Sequence, residues 1–306
     1  MSSLFQSVSI QGTAGDGPRL LITAGVHGDE YEGMEAIRKL VVFIDHSQLR
    51  GQLTLVPVVN ESAFARKSRV GEDSLDLARR CPGKEDGSLT EQIAHQLSLL
   101  IRQSDYYIDL HSGGNVMQVD PLVGYQLVSD PSVLDSQRSM AKAFGLPIVW
   151  GASAELEGRT LTVARDAKVP AIYAEYLGGG GCSAKGVQAY FEGCLNVMAE
   201  VGMLDPRPAP PAPEAVTEDP RPNSGHMQIC HPSPADGYFE PVVGLGQSVE
   251  SGQILGIIVD TLGRSSIAVY ADKSGRVIVL RKCPAVKAGD SLAVILETEL
   301  IKNWIP

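Results

Sequence analysis

Gly25-Val26-His27-Gly28-Asp29-Glu30 follows directly on the apolar run Leu20-Leu21-Ile22-Thr23-Ala24, so a histidine and a carboxylate three residues apart sit at the end of a buried strand. A second apolar run, Tyr106 to Leu110, delivers His111 ahead of Ser112-Gly113-Gly114, again at a strand end. Glycines in that place let backbone approach a ligand, and open α/β sheets collect ligands at such edges. His27 and Glu30, at i and i+3, can converge on one ion if they share one side of a starting helical turn. With His111 they form a two-histidine, one-carboxylate set that leaves a fourth tetrahedral position to water, the arrangement of hydrolytic rather than structural zinc. Taken singly, His27 could merely close a turn and Glu30 could be a first-turn carboxylate favoured by the helix dipole. The three together favour the metal. His46, His95, His226 and His231 have no comparable setting and read as structural or solvated.

The rest of the chain frames that site. With 306 residues, 43% of them apolar, it is long enough for a catalytic core and a smaller domain. A net charge of -10 and no cluster of Lys and Arg argue against a nucleic-acid surface, so an anionic ligand must be caught by local arginines. Met1 to Gly12 has neither the basic nor the apolar segment of a leader, and no run approaches the length of a membrane span; a soluble, cytoplasmic protein is expected. The five cysteines (Cys81, Cys182, Cys194, Cys230, Cys283) form no CxxC pair, which leaves free thiols in a reducing compartment.

From Leu20 to about Leu204 short apolar runs alternate with longer periodic segments, the pattern of an α/β domain. Strands are expected at Leu20 to Ala24, Leu53 to Val58, Tyr106 to Leu110, Ile148 to Trp150 and Ala171 to Ala174. Met34, Ile37, Val41 and Ile44 recur at helical spacing, as do Ile93, Leu97 and Leu100 behind the caps Ser88 or Thr90. Asp205 to Pro222 packs seven prolines among acidic and small residues, which predicts an extended connector over 205–222 between a catalytic domain, 1–204, and a β-rich domain, 223–306. In that second domain Gly237–Val243 running on to Val249–Leu255 is answered by Gly275–Leu280 running on to Val286–Leu292, an internal repeat of short strands and glycine turns. It resembles the barrel-sandwich fold of biotinyl and lipoyl carriers. A carrier needs a lysine on the hairpin between its halves, and Val259 to Ala271 has none; Lys273 reads as the entry to the second repeat.

Gly-Val-His-Gly-Asp-Glu-Tyr-Glu-Gly at 25 to 33, Asp-Leu-His-Ser-Gly-Gly at 109 to 114, and Glu175 ahead of Gly178 to Gly181 resemble the succinylglutamate desuccinylase and aspartoacylase family, the acyl-amino-acid branch of the zinc carboxypeptidase superfamily. The resemblance runs from residue 20 to 300, and within the family it is to bacterial deacylases of the N-acetyl-diaminobutyrate type. It implies a mixed sheet flanked by helices, a small C-terminal all-β barrel-sandwich-like domain, and one zinc ion per chain on His27, Glu30 and His111.

Glu175 follows the strand Pro170 to Ala174, so it stands where a carboxylate can reach the reacting water; the resemblance makes it the general base, and the plain alternative is a solvent-facing glutamate. Tyr176 and Leu177 separate it from the glycines, and a slip of one residue would turn it to the other sheet face. Between the two metal motifs, the loop Asn60 to Gly83 holds Arg66, Lys67, Arg69, Arg79 and Arg80. By resemblance Arg69 stabilises the oxyanion and Arg79 holds a substrate carboxylate; a solvated basic patch is the alternative. The family's asparagine before that arginine is replaced here by Ala78, which cannot donate an amide hydrogen bond, so Arg80 or a changed substrate would have to compensate.

Arg159, at an expected helix start, is a further candidate for the substrate tail. Asp109 could partner His111 but reads rather as pairing with nearby backbone, and Cys182 reads as lining the pocket. The expected activity is hydrolysis of an N-acylated amino acid or similar small amide. Two alternatives stand beside it: a zinc carboxypeptidase acting on short peptides, and a non-catalytic binding module. The partner is a small molecule, with no nucleic acid or membrane, and a homo-oligomer remains open.

Overall fold

In the computed structural model, which describes residues 3–297, each of the five apolar runs forms a strand. Met1 and Ser2, at the head of the segment read for a leader, and 298–306, at the end of the expected second domain, lie outside the described residues. The chain runs β1 (Val8–Gln11), β2 (Arg19–Ala24), α1 (Tyr31–Phe43), β3 (Gln52–Val56), α2 (Glu61–Arg66), α3 (Leu89–Arg102), β4 (Tyr106–His111), β5 (Met117–Leu127), α4 (Pro131–Phe144), β6 (Ile148–Ser153), α5 (Thr160–Asp166), β7 (Ala171–Gly178) and α6 (Ala184–Glu200). There follow β8 (Ala215–Asp219), β9 (Gly237–Pro241), β10 (Ser248–Val249), β11 (Ile254–Val259), β12 (Ser266–Tyr270), β13 (Gly275–Arg281), β14 (Ala285–Val286) and β15 (Ala293–Glu297).

Among the described residues the main sheet has eleven strands, in the order β1-β3-β2-β4-β7-β5-β13-β10, with β6 and β8 beyond β5 and β15 beside β13. Its centre is parallel: Leu20–Ala24 pairs with Tyr106–Leu110, and Tyr107–His111 with Ala171–Glu175. Side chains alternate across a strand, so β4 sends Ile108 and Leu110 into a core shared with α1, α4 and α6, and Tyr107 into a second core with α3 and α5. Asp109 and His111 share the Tyr107 face. α3 begins at Ser88, whose hydroxyl accepts from Glu91 N while the Glu91 carboxylate accepts from Ser88 N (3.0 Å), a capping box worth about 1 kcal/mol. Thr90, the other candidate cap, lies inside the first turn and donates to Asp73. No helix of the described residues is long and apolar enough to cross a membrane.

The chain expected as a connector departs from that expectation. Residues 206–214 carry no regular element, but Ala215–Asp219 alternates buried and half-buried side chains and forms β8, parallel to β6. Five of the seven prolines precede this strand and two follow it, so its backbone donors are intact. Arg138 reaches across to Glu218 through two hydrogen bonds (2.8 and 2.9 Å), which pins the strand to α4.

The repeat at the C-terminal end has the expected turns: Gly252 and Gly289, at matching places in the two halves, adopt φ of 82° and 90°, which only glycine takes readily. Strands β12-β11-β9-β14 form a separate four-stranded antiparallel sheet. The other strands of the region join the main sheet, because Val279–Arg281 of β13 pairs with Met117–Val119 of β5 while Leu122–Leu127 of β5 pairs with β6. The two regions therefore share a ladder, and both supply walls to one cavity.

Candidate functional site

The loop between β2 and α1 places the first two residues of the site. Gly28 lies so close to α2 that a Cβ there would stand 1.9 Å from the Ala63 carbonyl carbon, so the loop packs on that helix with no room for a side chain. Glu30 is the residue preceding α1 in extended backbone, not part of a helical turn as its spacing from His27 suggested. Its carboxylate does not cap the helix because both oxygens face imidazoles, with His27 Nδ1 at 2.7 Å from Oε1 and His111 Nδ1 at 2.8 Å from Oε2. One nitrogen or oxygen from each of His27, Glu30 and His111 lies within 4.8 Å of the others, all three largely buried.

The outer imidazole nitrogens are engaged as well. His27 Nε2 is 3.1 Å from Asp76 Oδ1, and His111 Nε2 is 3.1 Å from Asp109 Oδ2. Asp109 was expected to bind nearby backbone; it is fully buried, and in that setting it collects side-chain donors instead, accepting from Thr23 Oγ1 (2.9 Å) and Thr160 Oγ1 (2.6 Å). Carboxylates on both Nε2 atoms fix the ring orientations, so that both Nδ1 atoms converge on the Glu30 carboxylate. Burial raises the Glu30 carboxyl, but the His27 and His111 rings outweigh it and hold the group well below its usual range. Burial likewise disfavours charge on His111, and Asp109 and Glu30 overcome it, lifting the imidazole well above its ordinary value. The donor set, two imidazole nitrogens and one carboxylate oxygen at this spacing, fits a divalent cation such as zinc.

Glu175 was expected at a strand end and lies inside β7, which runs on to Gly178. The parallel register pairs it with His111, so both side chains leave the same sheet face and the feared slip does not occur. Its Oε2 is buried and has no hydrogen-bond partner among the described residues. Burial, with the charge of Glu30 adding to it, pushes the carboxyl up to about 8 against the pull of His111 and Arg69. The glycines after Glu175 meet the glycine pair after His111: a Cβ on Gly178, whose φ is 104°, would lie 2.6 Å from Gly113 Cα. Two glycine segments let these strand ends touch.

Arg69 joins the same cluster. Its Nε and Nη2 donate to Asp76 Oδ2 (3.1 and 3.0 Å), and its Nη1 is 3.8 Å from Glu30 Oε1. Asp76, absent from the sequence reading, thus ties together His27, Arg69 and a 3-10 turn at Leu77–Arg79, whose Ala78 N it also accepts (3.0 Å). Burial pushes its carboxyl up, but the His27 hydrogen bond and the charges of Arg69 and Arg79 hold it far below the usual range. Its signal was present: an aspartate just ahead of a short turn is a cap residue, and that stretch was read only for Ala78 and the arginines beside it.

A cavity of about 440 Å³ opens over these groups. Arg79 and Arg159 line it as well, close enough for their charges to act on each other. Arg79 Nη1 donates to the Ala78 carbonyl (2.7 Å) and Nη2 to Gln228 Oε1 (2.8 Å), while Arg159, the cap position of α5, donates to the Gly225 carbonyl (3.4 Å). Burial and the neighbouring Arg79 lower the Arg159 guanidinium to about 10. Arg80 is not brought in: it is exposed at the end of the 3-10 turn and outside the lining, as is Cys182 on the loop before α6. Walls from Met227, Gln228, Arg281 and Ser291 come from the second region, which carries no site motif in its sequence.

Comparison with known proteins places the chain among similar sequences and folds. Residues 16–201 match the succinylglutamate desuccinylase/aspartoacylase catalytic domain. The Nα-acetyl-L-2,4-diaminobutyric acid deacetylase of Halomonas elongata is 34% identical over 292 residues, 92% of this chain and 83% of that one. Among solved structures, the product-bound ectoine utilization protein EutE (DoeB) of Ruegeria pomeroyi superposes with a TM-score of 0.87 at 28% identity, covering 95% of this chain and 88% of the other. A succinylglutamate desuccinylase from a Silicibacter species gives 0.86 at 28% identity, over 94% and 87%.

Proposed function

The chain belongs to the succinylglutamate desuccinylase/aspartoacylase family, and from that premise we propose that it is a zinc-dependent amidohydrolase that cleaves the acyl group from an N-acylated amino acid. The observation that carries the reading is the convergence of His27, Glu30 and His111 in one buried cluster beside Glu175, whose Oε2 has no partner among the described residues. His27, Glu30 and His111 would hold the zinc, which when bound supplies Lewis-acid polarisation and makes a water acidic enough to ionise near neutral pH.

This chain's own residues account for the remainder. Asp76 and Asp109 keep the imidazoles in one tautomer and orientation by accepting from their Nε2–H groups. Glu175 takes a proton from the attacking water on its free Oε2 and returns it to the departing amine nitrogen; burial and the charge of Glu30 raise this carboxyl, which favours its holding the proton between the two steps. Arg69, held by Asp76, directs its Nη1 toward the same cluster and stabilises the charge that develops on the carbonyl oxygen. Arg79 and Arg159 form the cationic end of the cavity, and there they bind the carboxylate of the amino acid portion. Water and amide are consumed; a carboxylate and a free amine leave.

The test is a hydrolysis panel that varies both acyl group and amine, begins with Nα-acetyl-L-2,4-diaminobutyrate and includes short peptides, run with and without a chelator beside a metal analysis of the purified protein. Stoichiometric zinc and chelator-sensitive release of an acyl group are expected. A protein without stoichiometric zinc or another exchangeable divalent metal, in which added metal brings no hydrolysis, overturns the reading; preferential cleavage of the peptides replaces it with a carboxypeptidase.

A further inference from the structure

One short segment of the second region reaches both arginines at the cationic end of the cavity. The Gly225 carbonyl accepts from Arg159 Nη1 (3.4 Å), and three residues on Gln228 Oε1 accepts from Arg79 Nη2 (2.8 Å). The segment is anchored by backbone. Ser224 Oγ donates to the Asp219 carbonyl (2.6 Å) and accepts from Ser153 N (2.7 Å), which seats it on the ends of β8 and β6. Gly225 takes φ of 75°, and a Cβ there would stand 2.8 Å from the Ala152 Cβ, so the turn that delivers Gln228 closes tightly on β6.

A guanidinium has only donors, so the Gln228 atom that meets Arg79 must be the amide oxygen. The amide nitrogen is then the free end of the side chain, without a partner among the described residues and on a side chain that lines the cavity. Ala78, next to Arg79 in the chain, offers that arginine only a carbonyl (2.7 Å). We propose that Gln228 is a specificity-determining residue, its Nε2 donating to the same substrate carboxylate that Arg79 pairs with, so that the second region supplies the amide that Ala78 lacks. The proposal rests on the deacylase reading above. An amide suits the position because it orients Arg79 without cancelling its charge, whereas a glutamate would form an ion pair and occupy the arginine in place of substrate.

The experiment uses the full chain, with the acetylated amino acid of the panel that turns over fastest and the same compound carrying a carboxamide in place of its carboxylate. For Gln228→Ala, KM for the acid should rise about tenfold with kcat changed by less than about twofold, and KM for the carboxamide should move by less than about twofold. Gln228→Glu should weaken the acid further than Gln228→Ala does. Gln228 is exposed outside the core, and a melting curve beside the parent checks that each variant is folded. An unchanged KM for the acid, or equal shifts for acid and carboxamide, overturns the contact while leaving the deacylase reading in place. If the parent protein hydrolyses neither compound, the deacylase reading fails, and the contact falls with it.

Discussion

In the cavity, His27, Glu30 and His111 each have at least two polar partners, and His111 stands opposite Glu175 in a strand register. At the Arg79–Arg159 end the guanidiniums come from a 3-10 turn and a helix cap, and each is steadied from the second region by a single hydrogen bond. A ladder position cannot move by less than one residue without turning its side chain to the other face, whereas a loop-borne arginine can shift by small amounts. The difference teaches a division of labour. His111 and Glu175 are set on the sheet and give the loop residues His27 and Glu30 a fixed wall to meet, while the arginines proposed to discriminate among small molecules are set on segments that can vary without disturbing it.

That contrast yields graded predictions. The largest effect belongs to Glu175→Gln, which should retain metal on analysis yet lower kcat by about a hundred- to ten-thousandfold; turnover near the parent's would put the base elsewhere. Asp109→Asn should weaken metal affinity by about ten- to a hundredfold, read by competition with a chromogenic chelator, because His111 loses the acceptor that fixes its ring. Arg79→Ala should raise KM for acid substrates about tenfold with a much smaller change in kcat, whereas Arg80→Ala, outside the cavity, should leave both within about twofold. A larger effect at Arg80 than at Arg79 would reverse the reading of the cationic end.

A last prediction concerns stability, and its sign follows from Glu175. In the metal-free protein the folded carboxyl keeps its proton up to about 8, against an ordinary value of 4.5, so the folded state binds more protons in that window. Its contribution to stability is full below the ordinary value and is lost as pH rises through the folded one. Melting of the chelated parent should therefore decline toward alkaline pH more steeply than that of Glu175→Gln, with the two alike under acid conditions. His111, also raised, adds a decline of the same sign to both proteins, so the difference between their curves is the measurement.

Much of the histidine cluster was legible because its signals are local. An apolar run, a histidine and glycines within a few residues mark a strand end wherever it lies, and Glu175 declares itself in the same way. What escaped is non-local or irregular. Strand β5 contains Asp120-Pro121, and its pairing with β7 shifts between Val119 and Leu122, so no clean alternation appears in the sequence. Strand β8 was hidden by the composition of its neighbours, although its own five residues alternate. The contact between Arg79 and Gln228 joins residues 149 apart in the chain, a separation that no periodicity or motif spacing encodes. Asp76 was overlooked for a different reason: the stretch that contains it was read for charge to offer a ligand, not for the cap and histidine contacts an acidic residue makes.

The proline-rich tract also bears on how the molecule would respond to being cut. Residues 206–214 cross the surface with no ladder of their own, yet the chain on either side is knitted into one sheet, by β6 with β8 and by β5 with β13. A protease that nicked this tract would sever the backbone without separating the pieces, which would migrate as one particle until denaturant melted the shared ladders. We predict that two chains divided at this seam and produced together co-purify as one particle with the cavity complete, and separate migration of the two would show that the covalent link is needed for assembly.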